Sequence, residues 1–390
     1  MQGDVYGFMH PHISQDVCVD CGTCQYVCPV VNGVECRKPI EVFAVYSKDG
    51  NDRNSSASGG ASSVFASWYV ANRGVVYGCS QETVENVSHE RIDCADDLYR
   101  IKESKYVQSS LGYTFRQVEG DLKNGRKVLF VGTPCQVSGL KSFLKKEYDN
   151  LLLVDICCHG VPSHQLLLDN IEMIKRRCRI KIDNSKMRVS FRRKFSAVES
   201  GVDVGNSGLK PRIQYGFYLY GLSDCESLRL VYENNAYNDY YIAGFVNGVF
   251  LRPSCYQCRY AHSERVSDLT LADYWGLGKS NNPEMEEQRG VSAVLINTEK
   301  GRDAFDRVKD LLVFEQRNVA EAVNGNPQLC HPYNKPREHD VFMVEYPRVG
   351  WKKACRRSLD KIMLKERIKD YLRSSIIITK LYRRMRHYKR

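Results

Sequence analysis

Lys127-Val-Leu-Phe-Val-Gly-Thr-Pro-Cys-Gln136 is the stretch on which the fold turns. Residues 128–131 are apolar without a break, after a turn signal at Asn124-Gly125 and before Gly132. A short run of this kind reads as a strand covered on both faces, as in a parallel sheet. Its carboxyl end delivers Gly132-Thr133-Pro134-Cys135-Gln136, and a helix to about residue 146 follows. The pattern then repeats. Leu151–Ile156 is a second buried strand, Cys157-Cys158-His159-Gly160-Val161-Pro162 is its loop, and a helix begins at Ser163, a good N-cap. Strand, loop, helix, twice over, predicts a parallel α/β sheet, and in such sheets binding sites lie at the carboxyl ends of the strands.

Upstream, 42–46 and 75–79 read as strands. Between them a polar loop, Arg53-Asn-Ser-Ser-Ala-Ser-Gly-Gly60, opens a helix over 61–71 that Gly74 ends. A Ser/Gly loop feeding a helix start is a candidate phosphate cradle. A further helix spans 113–123. Downstream, 188–232 alternates polar and apolar residues and reads as antiparallel strands, with a Gly/Ser-rich loop at 200–208. A helix covers 239–248, a strand 291–297 and a helix 298–312. Four prolines (Pro327, Pro332, Pro336, Pro347) mark 325–350 as loop-rich, and Asp273 reads either as a residue acting at the site or, the favoured reading, as a turn cap.

Near the start stands Cys18-Val-Asp-Cys21-Gly-Thr-Cys24-Gln-Tyr-Val-Cys28-Pro29. C-x2-C-x2-C-x3-C-P is the bacterial ferredoxin run for a [4Fe–4S] cluster, in which thiolates two residues apart each reach a different iron. Gly22 lets backbone N–H groups approach the sulfides. Zinc sites favour two separated C-x2-C pairs instead. In two-cluster ferredoxins the fourth cysteine serves the other cluster. Here either Cys28 or Cys36 closes the cluster, or a preceding half-motif is missing. A second set is Cys255-x2-Cys258 together with Cys135 and Cys158, which stand on loops after neighbouring strands. Four thiolates from three segments would hold a second [4Fe–4S] cluster, and the competing reading of Cys135 and Cys158 is as small buried apolar residues.

The 390 residues suffice for two or three domains, no apolar run approaches the ~18–20 residues of a membrane span, and no signal peptide is legible. A cytoplasmic location follows, where sixteen cysteines argue for metal or redox chemistry rather than disulfides. The net charge of +11 is concentrated at one end. Residues 351–390 hold fifteen Lys and Arg against three acids, so the other 350 residues sum to −1. That argues against nucleic acid as a partner. Apolar positions among the basic ones (Leu359, Ile362, Met363, Ile368, Leu372, Ile376–Ile378) instead suggest peripheral contact of 352–390 with anionic lipid on the cytoplasmic face.

SxSGG (56–60), SKYVQS (104–109), VLFVGTPCQVSGLKSFL (128–144), CHGVPS (158–163), RPSCYQC (252–258) and SDLTLADYWG (267–276), in this order, resemble the family of coenzyme F420 hydrogenase/dehydrogenase beta subunits over roughly residues 5–310. Its members include F420-reducing hydrogenase and formate dehydrogenase subunits and hydroxymethyl-chlorophyll reductases. The resemblance implies an α/β (mixed α+β) flavin domain holding FAD, with a small N-terminal ferredoxin-like iron–sulfur module and a basic helical C-terminal tail. It implies a second, inner [4Fe–4S] cluster on Cys135, Cys158, Cys255 and Cys258, with Cys157 a neighbour. Residues 3–11 are similar to the linker between two ferredoxin runs, as though the chain began at the second half. The corresponding division is 1–38 ferredoxin-type module, 39–185 and 186–315 the two parts of the family domain, 316–350 a loop-rich linker and 351–390 a basic amphipathic tail.

The function so implied is an iron–sulfur flavoprotein oxidoreductase. It would pass electrons from the N-terminal cluster through the inner one to FAD and on to an unknown small-molecule substrate. Bacterial relatives commonly accompany surface-polysaccharide genes, which implies a setting in surface-polysaccharide biosynthesis. Ser58, Gly59, Gly60, Gly132 and Thr133 are the candidate flavin contacts. Lys105 is the candidate cation at the flavin, and His159 the candidate proton donor. A ferredoxin or another oxidoreductase subunit is the implied redox partner. The alternatives are an electron-transfer subunit of a larger oxidoreductase, and a zinc-binding non-catalytic module whose basic tail engages membrane or RNA.

Overall fold

The structure is a computed structural model that describes residues 1–194, 213–222, 227–286 and 289–374. The chain opens with a short hairpin, β1 (Gln2–Gly3) against β2 (Met9–His10), and an exposed segment containing the one-turn α1 (Thr23–Tyr26). There follow β3 (Glu41–Ser47), α2 (Gly50–Ser55), α3 (Ala61–Ala71), β4 (Val75–Thr83), β5 (Asn86–Ile92), α4 (Thr114–Lys123), β6 (Val128–Gly132), α5 (Pro134–Leu144), β7 (Leu151–Ile156) and α6 (His164–Cys178). An antiparallel trio comes next, β8 (Met187–Lys194), β9 (Ile213–Leu222) and β10 (Leu228–Asn235), then α7 (Tyr240–Val246). The chain continues with β11 (Leu269–Asp273), β12 (Ser292–Ile296), α8 (Glu299–Val308), β13 (Leu312–Arg317), α9 (Val319–Gly325) and α10 (Arg337–Ser374).

Eight strands form one mixed sheet in the order β13-β3-β12-β11-β7-β6-β4-β5. Its centre, β11-β7-β6-β4, is parallel, and antiparallel strands flank it on both sides. The apolar run in β6 is explained by two cores. Val128 and Phe130 pack with α4 and α5 on one face, while Leu129 packs with α3 and α8 on the other. Leu151 and Leu153 of β7 join the first core, Leu152 and Val154 the second. A third core lies under the β8–β10 sheet, closed by α6, α7 and α10. The mixed α/β expectation therefore holds, and the carboxyl ends of β4, β6, β7 and β11 all open on one side.

Three expectations need correction. The stretch 316–350 is not mainly loop. It holds the end of edge strand β13, α9 and the first part of α10, which Pro336 precedes and in which Pro347 and a non-helical Gly350 (φ 74°) make a kink. Burial of Phe342, Tyr346 and Trp351 outweighs the proline signal. The helix expected over 298–312 stops at Val308, because Leu312 begins β13 beside β3. The tail is not a detached amphipathic segment. Leu359 and Met363 are buried in the third core and Ile362 packs on it, leaving Ile368 and Leu372 exposed. The loop at 200–208 and residues 375–390 lie outside the described residues. Among the described residues no helix is long and apolar enough to cross a membrane.

Candidate functional site: a thiol-walled cavity at the strand ends

A cavity of about 970 Å³ occupies the carboxyl ends of the parallel strands. Three stretches of wall come from loops after β6 (Gly132, Thr133, Cys135), after β7 (Cys157–Val161) and from the end of β11 (Asp273). The loop before α3 and residues 101–109 close the other sides.

The β6–α5 turn is built to hold Cys135 firmly. Thr133 caps α5, Pro134 occupies its first turn, and the Thr133 amide and hydroxyl both donate to Gln136 Oε1, at 2.9 and 3.1 Å. The Gln136 amide donates to Ser109 Oγ (2.9 Å), and Ser109 in turn hydrogen-bonds His89 Nδ1 (3.0 Å). The other nitrogen of His89 donates to the Val131 carbonyl (3.0 Å). Burial pushes the His89 pKa down to about 4, so the imidazole is neutral. This chain of hydrogen bonds ties the SKYVQS segment to the cysteine turn. Cys135 Sγ itself lies 3.1 Å from Thr133 Oγ1.

The other thiols of the second set gather round it. The Gly160 amide donates to Cys158 Sγ at 3.4 Å. Gly160 has φ +111°, and a Cβ there would meet Leu251 Cδ1 at 2.7 Å and Cys255 Cβ at 3.3 Å, so glycine lets the two cysteine loops close together. The chain just after the C-x2-C segment is tied to β7 and β11 by Arg265. This fully buried arginine donates to Asp155 (2.8 Å), to the Tyr260 and His262 carbonyls and to Thr270. Burial raises the pKa of Cys135, Cys158 and Cys255, the last to about 12, and each thiol's neighbours in the set raise it further. Cys157 is raised to about 12 chiefly by burial. Among the described residues no three His, Cys, Asp or Glu side chains converge closely enough to ligate a single metal ion.

Each flavin candidate has a definite place. Ser58, Gly60, Lys105, Gly132 and Thr133 line the cavity. Gly59 does not; it is pressed against the sheet, where a Cβ would meet the Val45 carbonyl at 2.3 Å. The Ser58 hydroxyl is spent on the Val291 carbonyl (2.9 Å), and the Thr133 amide on Gln136. Lys105 is half-buried, donates to the Lys102, Glu103 and Arg100 carbonyls, and has its pKa pushed down to about 8 by desolvation. His159 lines the cavity too, and its Nε2 is buried without a hydrogen-bond partner among the described residues. Asp273 is no turn cap. It grips Arg192 of β8 through both oxygens (2.8 and 2.9 Å) on the cavity wall. Arg192, Gln136 and His89 are the residues that the sequence reading missed. Only the alternation in β8 hinted at the first.

The N-terminal run sits beside the C-x2-C segment rather than in the cavity. Cys18, Cys21 and Cys24 are exposed, and Cys28 and Cys36 half-buried. Arg37 and Arg265 exchange backbone hydrogen bonds of 2.8 Å, and Arg259 donates to the Val30 carbonyl at 2.8 Å. The residues before the run are anchored as well, through buried Phe8 and the Tyr6 hydroxyl on the Met343 carbonyl.

The chain is thus a mixed α/β protein with a large cavity at a row of parallel carboxyl ends, walled in part by Cys79, Cys135, Cys157 and Cys158. Residues 125–322 match the family described as the C terminus of the coenzyme F420 hydrogenase/dehydrogenase beta subunit, and the chain belongs to that family. It is 24% identical over 160 residues to the F subunit of F(420)H(2) dehydrogenase from Methanosarcina mazei. That alignment covers 40% of this chain and 45% of the relative, so the chain spans under half of that relative's length. It is also similar to a chain of the F420-reducing [NiFe] hydrogenase complex from Methanosarcina barkeri, with 13% identity, a TM-score of 0.44, and coverage of 75% of this chain and 91% of that one.

Proposed function

We propose that this chain is an iron–sulfur flavoprotein oxidoreductase in which the Cys18–Cys28 run would hold a [4Fe–4S] cluster as the electron inlet, Cys135, Cys158, Cys255 and Cys258 would hold an inner [4Fe–4S] cluster, and the large cavity would hold FAD. The observation that carries the reading is that Cys135 and Cys158 line the same cavity as Ser58, Gly60, Lys105, Gly132 and Thr133. FAD exchanges both single electrons and hydride, and [4Fe–4S] clusters exchange single electrons.

The residues present suit both groups. The cavity volume lies in the range of cofactor sites. Lys105 offers a cation held by neutral carbonyls, and the unpartnered His159 Nε2 offers a hydrogen-bonding atom at the wall. Gly60–Ser63 at the start of α3 also line the cavity, where the Asp52 carboxylate accepts from the Ser63 hydroxyl at 2.6 Å and pairs with Lys102. Burial keeps the thiols of Cys135, Cys158 and Cys255 protonated until a group takes them up, so loading releases protons.

The exposed run, with Val17, Val19, Tyr26, Val30 and Val31 exposed around it, is the docking face for a ferredoxin or another oxidoreductase subunit. That favours, as a second reading, an electron-transfer subunit of a larger oxidoreductase, in keeping with the Methanosarcina mazei relative's being one subunit of a dehydrogenase. The small-molecule substrate, and any part in surface-polysaccharide biosynthesis, are not selected by the cavity lining.

The test is anaerobic reconstitution with iron and sulfide, followed by assay of iron, acid-labile sulfide and flavin in the same sample. The reading requires all three. Zinc with no flavin contradicts it.

A further inference from the structure

Helix α10 has two apolar faces, and only one of them has a partner in the protein. Trp351, Ala354, Cys355, Leu359 and Met363 are buried in the third core, and Ile362 packs against it. Leu364, Ile368 and Leu372 follow at four-residue spacing on the opposite side of the helix, where they are 54, 51 and 42% exposed. Residues four apart lie one above the other, so these three form a stripe that faces away from the body. Tyr371 is exposed beside them.

Charge is sorted around the stripe. Lys361 and Lys365 flank it on one side and Arg367 on the other, all three exposed. The acids nearby are engaged elsewhere: Asp360 with Arg356 (3.7 Å), Glu366 with Lys369 (2.5 Å) and Glu345 with Arg357. Among the described residues Lys352, Lys353, Lys361, Lys365 and Arg367 have no carboxylate partner. Residues 352–372 hold eight Lys and Arg against three acids, and the sequence 375–390 adds six Lys and Arg and no acid.

We propose that lipid contact, expected from the sequence over all of 352–390, is made by this one face of α10. Leu364, Ile368 and Leu372 enter the acyl boundary of an anionic membrane surface, and the flanking cations lie among its headgroups. An apolar stripe alone would suit many partners, but unpaired cations on both sides of it select a surface of dense negative charge. The contact is peripheral, because the other face of the helix is committed to the core. Asp370, on the core side of the same turns, lines the large cavity, so the lipid surface lies one helix diameter, ~10 Å, from that wall. The surface does not depend on what the cavity holds.

The experiment floats the full chain with vesicles of phosphatidylcholine, with and without phosphatidylglycerol. Flotation with the anionic vesicles alone is expected. Ile368→Asp and, separately, Leu372→Asp should weaken it about tenfold, since each replaces an inserted apolar side chain by a charge. Lys361→Glu with Lys365→Glu should weaken it by as much or more. All four side chains are exposed, so thermal unfolding should be unchanged. Absence of flotation overturns the proposal. So does flotation that survives the apolar variants and is lost only when 375–390 are removed, which assigns the binding to the basic segment alone. A concentration-dependent dimer that Ile368→Asp breaks, without flotation, assigns the stripe to a second copy of this chain. RNA binding that the double lysine variant loses, without flotation, assigns the cations to nucleic acid. Either result overturns the proposal.

Discussion

Two sets of four cysteines stand in this chain, and they are held in opposite ways. Cys18, Cys21, Cys24 and Cys28 are neighbours in sequence, on an exposed segment with one helical turn. Cys135, Cys158, Cys255 and Cys258 are up to 123 positions apart in sequence, and strand ends, a helix cap and a buried arginine bring them together. The first set has its spacing written in the sequence and little apolar packing behind it, so its geometry depends on what it binds. The second has no motif beyond one C-x2-C, and the sheet supplies its geometry.

The largest effect that separates the two is at Arg265. Arg265→Ala leaves Asp155 buried and unpaired, and should cost about 3–5 kcal/mol in denaturant unfolding, since it breaks a buried pair from one side. If the inner set were held as loosely as the outer, the change would be no larger than a surface substitution.

Next comes His89, which braces the Cys135 turn. Its pKa is about 4 folded and near 6.5 in an unfolded chain, so the unfolded chain takes up the proton first. Stability is full above pH 6.5 and falls as the pH drops toward 4, by about 3 kcal/mol at pH 4 from this group. His89→Gln should lose that share of the pH dependence. Parallel stability–pH curves for the two proteins would show that His89 does not brace the turn as a neutral ring.

Lys105 sharpens the comparison at the cavity. Lys105→Gln should weaken flavin binding about tenfold, read by flavin titration, because a half-buried cation is removed from the wall. An unchanged affinity would place Lys105 outside the flavin site. The smallest effect is on the outer set. Cys24→Ser should abolish loading of the N-terminal run yet change main-domain stability by less than about 0.5 kcal/mol, since Cys24 is exposed. A larger loss would mean that the run supports the fold.

The same contrast explains what could be read in advance. Residues 128–131 and 151–154 were legible because each alternates between two cores, which demands an unbroken apolar run. The start of α5 was legible because Thr133, Pro134 and Gln136 cap it locally. The pairing of Asp273 with Arg192 was not, because it spans 81 positions and two sheets and exists only once both are packed. The start of α10 was hidden by Pro336 and Pro347, whose local signal is outweighed by the burial of Phe342, Tyr346 and Trp351. Gly59 was read as a ligand contact because SxSGG is a loop pattern, whereas the residue is required by the Val45 backbone beside it.

The central claim is that the inner thiols would hold a [4Fe–4S] cluster that links the outer run electronically to the flavin. The direct measurement is rapid-mixing reduction of the reconstituted chain by a protein donor too large to enter the cavity, with flavin bleaching followed in wild type and in Cys158→Ser. The account predicts that Cys158→Ser keeps its flavin and its outer cluster but bleaches at least tenfold more slowly, on the order of 1.4 kcal/mol or more of added barrier. Bleaching at the wild-type rate would contradict it.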